Sequence, residues 1–175
     1  MNKSKIDYNN ITFNDPDDYA PDTDTCMNCM NETDERIGYN EKMDLLKRAC
    51  SSCGLVYIED GEGNRTIIKG EKRDWMAFLS KNLSFPFEAN VIEYDGSDAE
   101  FFGFEPNSPF RLNDKVKVTK TNFNDENYGV IATIYKGRKK YDIPLCDLEV
   151  VDKASLNYKL VDDYKTWFVN YRDIE

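Results

Sequence analysis

The 175-residue chain contains no histidine. The commonest general base near neutral pH is therefore missing, and with it every Ser–His or Cys–His nucleophile pair. Any metal has to be held by Cys, Asp, Glu, Asn or backbone oxygens. Long apolar runs are missing too. None approaches the roughly 18 to 20 residues that span a bilayer, and the polar start MNKSKIDYNN offers nothing that could serve as a signal peptide. These absences lead us to expect a soluble, cytoplasmic protein with no membrane association. Positive charge is scarce: 23 Lys and Arg face 33 Asp and Glu, a formal charge of −10. That mean field repels phosphate backbones and anionic headgroups, so nucleic acid is a poor choice of partner. Paired carboxylates can do acid–base work, as in glycosidases, but no cleft or subsite pattern accompanies them, and an enzyme is not expected.

What is present is enough for one real core and a small appended module. Residues 1–25, ending DPDDYAPDTDT, have too few apolar side chains to offset the cost of ordering and read as a flexible acidic tail. Residues 26–70 form a cysteine-bearing module that closes on LVYI and TIIK around DGEGN, a hairpin pattern. Residues 71–175 form the main domain. In EKRDWMAFLSKNL, Trp75, Phe78, Leu79 and Leu83 recur at helical spacing. Pro86 then favours an extended exit into the strand EANVIEY. KVKVTK, VIATIYKG, RKKYDIPL and LEVVD read as short antiparallel strands, with Pro144 at a strand end. Leu156, Leu160, Tyr164, Trp167, Phe168 and Tyr171 mark a C-terminal helix with an aromatic face. The expected class is mainly β with flanking helices (α+β): a small SH3-like barrel, preceded by a zinc-ribbon-like module.

The most specific motif is CMNC, with Cys26 and Cys29, followed by CSSCG, with Cys50 and Cys53. A C-x2-C pair aims two thiolates at one ion from a tight turn, and two such pairs complete a tetrahedral set without histidine. Gly54 suits the turn that points backbone N–H groups at the sulfurs. The expectation is a structural Zn2+ site, closed to water and so not catalytic. A redox-active dithiol is the weaker reading, since no βαβ pattern of the thioredoxin kind surrounds either pair. Cys146, alone in IPLCDLEV, reads as a small buried thiol.

Carboxylates cluster in three places. Glu93, Asp95, Asp98 and Glu100 crowd the turn EYDGSDAE, NFNDEN places Asp125 and Glu126 in the first long loop of the barrel, and DGEGNRTIIKGE runs from Asp60 to Glu71. Ca2+ takes six to eight oxygens from such loops, although acidic loops are commonly just solvated. The third stretch has acidic or amide residues at several EF-hand ligand places, but Arg65 stands where the turn glycine belongs, and it reads as a hairpin turn.

From about residue 71 to 172 the chain resembles a small bacterial, cyanobacterial-type calcium-binding protein family. The resemblance is carried by DWMAFLSKNLSFPFEA (Asp74 to Ala89), by SPF-x-L-x-D-x-V-x-V (Ser108 to Val118), by GRKKYDIPLCDLEVVD (Gly137 to Asp152) and by DDYKTWF (Asp162 to Phe168). It implies an SH3-like core with terminal helices and reversible calcium binding through surface carboxylates. The family's acidic loop residue corresponds to Asp125 or Glu126. DGSDAEFFGFEPN is an insertion relative to that pattern, so Asp95, Asp98 and Glu100 are candidates by chemistry rather than by inheritance. The resulting expectation is a calcium buffer or sensor with ligands among Asp95, Asp98, Glu100, Asp125 and Glu126, and a structural zinc site on Cys26, Cys29, Cys50 and Cys53. The alternative is an SH3- or Tudor-like interaction module that offers Tyr128, Tyr135 and Tyr141 to a protein partner, with the zinc ribbon docking another. Oligomeric state is not encoded in any motif we recognise.

Overall fold

A computed structural model of the chain describes residues 7–14, 23–93 and 110–172. The chain divides into two compact units: residues 1–73 with 171–175, and residues 74–170. Among the described residues, no helix is long and apolar enough to cross a membrane.

The first unit is an antiparallel meander of β1 (Thr23–Asp24), β2 (Asp34–Asn40), β3 (Leu45–Cys50), β4 (Val56–Asp60) and β5 (Arg65–Lys69), in that spatial order. The DGEGN hairpin expected from sequence is the β4–β5 turn, where Asp60 Oδ1 accepts from the N–H groups of Glu62 and Asn64 at 3.0 and 2.8 Å. That use of Asp60 is what a hairpin turn needs, and an EF-hand loop would need the oxygen elsewhere. Parts of the segment expected to be a flexible tail are placed. Thr23 and Asp24 pair with Glu35 and Asp34, and Asn14 bridges Tyr39. Pairing to an existing strand supplies the hydrogen bonds that the segment's composition cannot replace with a core. A small cluster of Met27, Leu55 and Tyr57, with Ile67 and Tyr171 against it, provides the apolar packing. Arg65 lies over the rings of both Tyr57 and Tyr171, at 5.8 and 5.4 Å.

The second unit holds α1 (Trp75–Asn82), β6 (Phe87–Val91), β7 (Lys115–Asp125), β8 (Gly129–Lys136), β9 (Lys139–Pro144), β10 (Leu148–Val150) and α2 (Leu156–Asn170). Helix α1 starts where Asp74 accepts from the Ala77 N–H at 2.9 Å, an N-cap. The strands form one antiparallel sheet in the order β10-β6-β7-β8-β9. Strand β7 alternates, with Val116 and Val118 buried beside exposed Lys115 and Lys117, whereas the interior strand β8 is buried on both faces from Gly129 to Ile134. The expected SH3-like barrel is not what the described pairings build. Among the described residues β9 and β10 are edges, and the two sheets of the chain are both open.

Helix α2 buries Asn157, Leu160, Val161 and Tyr164, while Leu156, expected on its inner face, is 63% exposed. Position 156 is the first helical residue, where the chain has not yet turned onto the sheet. Asn157 instead exchanges two hydrogen bonds with the backbone of Ser84, at 2.8 and 2.9 Å. Trp75 packs against Phe78, Tyr164 and Trp167. Tyr164 is fully buried, and its hydroxyl accepts from the Val130 N–H at 2.7 Å. Beside it Gly129 has φ +68°, and a Cβ there would lie 2.2 Å from Tyr164 Oη and 2.6 Å from the Phe168 ring. Gly129→Ala therefore combines left-handed backbone strain with overpacking against two aromatic side chains. It is expected to destabilise the protein by about 3 kcal/mol, read as a lower urea midpoint at unchanged slope.

Candidate metal centre

Both cysteine pairs sit on knuckles built alike. In the first, the Met30 N–H donates to Cys26 O at 2.9 Å; in the second, the Gly54 N–H donates to Cys50 O at 2.9 Å. The closing residue is left-handed in each, Gly54 at φ 73° and Met30 at φ 60°. The glycine was legible in the sequence as a turn signal, but methionine carries no such signal, and the first knuckle's matching geometry was not readable there. The Asn28 N–H points at Cys26 Sγ at 3.4 Å, and Thr33 Oγ1 lies 3.2 Å from Cys50 Sγ.

The β2–β3 pairing brings the knuckles together, since Asp34, just past the first, is in register with Cys50 at the start of the second. Cys26 Sγ lies 3.7 Å from Cys53 Sγ, and Cys29 Sγ lies 3.6 Å from Cys50 Sγ. All four sulfurs fall within 4.8 Å of one another. A disulfide would bring a pair to about 2.05 Å, whereas a tetrahedral ion with metal–sulfur bonds of about 2.3 Å would set its sulfurs about 3.8 Å apart. The cysteines are spaced for coordination, and this donor set fits a metal ion. Cys26, Cys29 and Cys50 are buried and Cys53 is exposed.

As free thiols the four are unequal. Burial pushes Cys26 well up, and it pushes Cys29 up to about 11. Burial also acts against ionising Cys50, but the Thr33 hydroxyl and the neighbouring N–H and S–H donors outweigh it and lower that thiol to about 7. Crowded buried thiolates repel one another, and a cation is the natural group to offset both the repulsion and the desolvation.

The predicted calcium ligands are placed less completely. Asp95, Asp98 and Glu100 lie outside the described residues. Asp125 ends β7, and its Oδ1 accepts from the N–H groups of Asn127 at 2.9 Å and Tyr128 at 3.1 Å. Glu126, next in the turn, is exposed. Among the described residues the four cysteines are the only group of three or more candidate ligands whose donor atoms already converge. The turn at Asp125 borders a cavity of about 450 Å³, whose lining includes Glu93, Asn127, Tyr128, Cys146, Asp147 and Lys165. Burial raises the Cys146 thiol to about 12, with the Asp147 carboxylate and then Glu93 adding to it. Two carboxylates thus face one cavity from opposite ends of the second unit's sequence. Glu93 belongs to the turn singled out in the sequence, but Asp147 was not foreseen as its neighbour. The β6–β10 register, Val91 opposite Leu148, creates the pairing.

The tyrosines of the alternative reading are dispersed in role. Tyr141 packs edge-on against Phe110 at 4.8 Å, Tyr128 lines the cavity, and Tyr135 is 38% exposed.

Compared with known proteins, residues 66–168 match a family model described as calcium binding. No curated protein and no solved structure matches the chain.

Proposed function

The chain belongs to the CcbP calcium-binding family, and from that premise we propose that it is a calcium buffer or sensor whose second unit binds the ion and whose first unit is held together by a structural zinc. The match over residues 66–168 carries the calcium reading. The cavity beside the Asp125 turn supports a location for it. Ca2+ requires several oxygens from flexible, partly charged donors, and Glu93, Asn127 and Asp147 all line one space. Asp125 and Glu126 immediately precede Asn127 in the chain, and Asp95, Asp98 and Glu100 follow closely after Glu93. Zinc is the preferred ion for the cysteines, because four thiolates at tetrahedral spacing suit a borderline-soft cation and offer nothing to a hard one. With all four positions filled by protein, that ion serves folding and leaves no open site for chemistry.

Calorimetric titration of the zinc-loaded protein with calcium tests the proposal. Saturable binding is expected, and Glu93→Gln with Asp147→Asn should weaken it by about tenfold or more, because each lost charge removes a principal ligand. Equal affinity in that variant, with loss in Asp125→Asn, Glu126→Gln instead, would move the site onto the turn alone. No saturable heat up to millimolar calcium would end the calcium reading.

A further inference from the structure

The strap Gly70–Arg73, which joins β5 to the N-cap of α1, runs across both cysteine knuckles. At the second knuckle Gly70, at φ +93°, packs so closely that a Cβ would lie 3.1 Å from Leu55 Cα and 3.4 Å from Gly54 O. At the first, Asn28 Nδ2 donates to Glu71 O at 3.2 Å, the Arg73 N–H donates to Asn28 Oδ1 at 2.6 Å, and Arg73 Nη1 donates to Cys29 O at 3.3 Å. Asn28 is only 7% exposed, and it lies beside the thiols without belonging to the four converging donors. Its N–H points at Cys26 Sγ, and its Nδ2 lies 3.7 Å from Cys53 Sγ. One residue therefore touches thiols from both pairs, Cys26 through its backbone N–H and Cys53 through its side chain, and that side chain anchors the strap at two points.

We propose that the strap is a metal-gated clamp, with Asn28 as its positioning residue. An ion on the four thiolates holds the two knuckles together, and the strap is then fixed across them. Loss of the ion removes the bonds that tie the two knuckles to one another, and the strap loses the fixed spacing of its two seats. The clamp rests on the reading that these cysteines hold an ion. Its consequence lies in the strap itself, which is held or released according to metal occupancy.

Lys72 and Arg73 make the strap a trypsin target, so the test is limited trypsinolysis of the full-length protein, with strap cleavage followed by mass spectrometry and zinc by elemental analysis. In the wild type loaded with one equivalent of zinc, the strap should resist cleavage. Asn28→Ala should keep its zinc yet be cut at the strap about tenfold faster, the scale set by losing two partly buried hydrogen bonds. Wild type treated with a chelator should be cut faster still. Where Asn28→Ala fails to retain zinc, Gly70→Val supplies the test, since it displaces the strap from Leu55 and leaves every cysteine and Asn28 in place. Cleavage of a zinc-loaded variant at the wild-type rate, or equal protection of the chelated wild type, overturns the clamp while the metal site stands. Wild type that binds no zinc at all overturns the metal site and the clamp with it.

Discussion

Cys50→Ser, or treatment with a strong chelator, is expected to unfold the first unit while the second keeps its native spectrum. The first unit relies on a thin meander and a small apolar cluster around Met27, Leu55 and Tyr57. Domains of that size seldom bury enough apolar surface to stand without a staple. A four-thiolate zinc contributes about 10 kcal/mol or more to such folds, as much as the whole net stability of a typical domain, about 5 to 15 kcal/mol. A heteronuclear NMR spectrum should show collapse of amide dispersion for residues 23–73 and retention for 110–170. Uniform retention in the metal-free protein would mean that the ion is not what holds the knuckles. The pH dependence has a definite sign. Burial holds Cys29 up near 11 and Cys26 higher, so at neutral pH the ion must displace their protons. Metal affinity should fall as pH is lowered, and the chelator concentration needed to unfold the unit should fall with it.

Arg48→Ala should cost about 3 to 5 kcal/mol, because it leaves a buried carboxylate without its cation. Asp34 is fully buried and Arg48 is 4% exposed. Asp34 Oδ2 accepts from Arg48 Nε at 2.8 Å and from the Tyr57 hydroxyl at 2.5 Å. Burial, and then the Asp34 carboxylate, push the Tyr57 phenol far up, so it stays protonated and remains a donor. The same network argues for an asymmetry. Replacing all three together, Asp34→Leu with Arg48→Met and Tyr57→Phe, removes the charges and the polar atoms at once and should come close to wild-type stability. Urea unfolding of the zinc-loaded proteins measures both. A single and a triple variant equally destabilised would show that the side chains matter for shape and not for charge.

Much of this fold was open to reading along the chain. The alternation of KVKVTK, the DGEGN turn and the helical spacing in DWMAFLSKNL each depend on neighbours within a few residues, and each became the element expected. The C-x2-C pairs were readable for the same reason, since a knuckle is a local turn. The pairing of Thr23 and Asp24 was not readable, because the composition there contains no hint of the strand they meet: they are placed by β2, not by their own side chains. The SH3-like barrel is not confirmed among the described residues, and strand count and turn spacing say nothing about whether the edges meet.

The sequence by itself determined which donors exist. Without histidine, and with two cysteine pairs in an acidic chain, soft coordination had to fall to sulfur and hard coordination to oxygen. Which donors meet was decided only by tertiary structure. Cys29 faces Cys50 because β2 and β3 pair, and Glu93 shares a cavity with Asp147, 54 positions later, because β6 and β10 pair. Asn28 reaches Glu71 and Arg73 because the chain returns across the knuckle after four strands, β2 to β5. Local patterns set the elements through steric preference and burial, but a coordination shell needs groups distant in sequence held a few ångströms apart. Only the register of the strands and the path of the strap supply that.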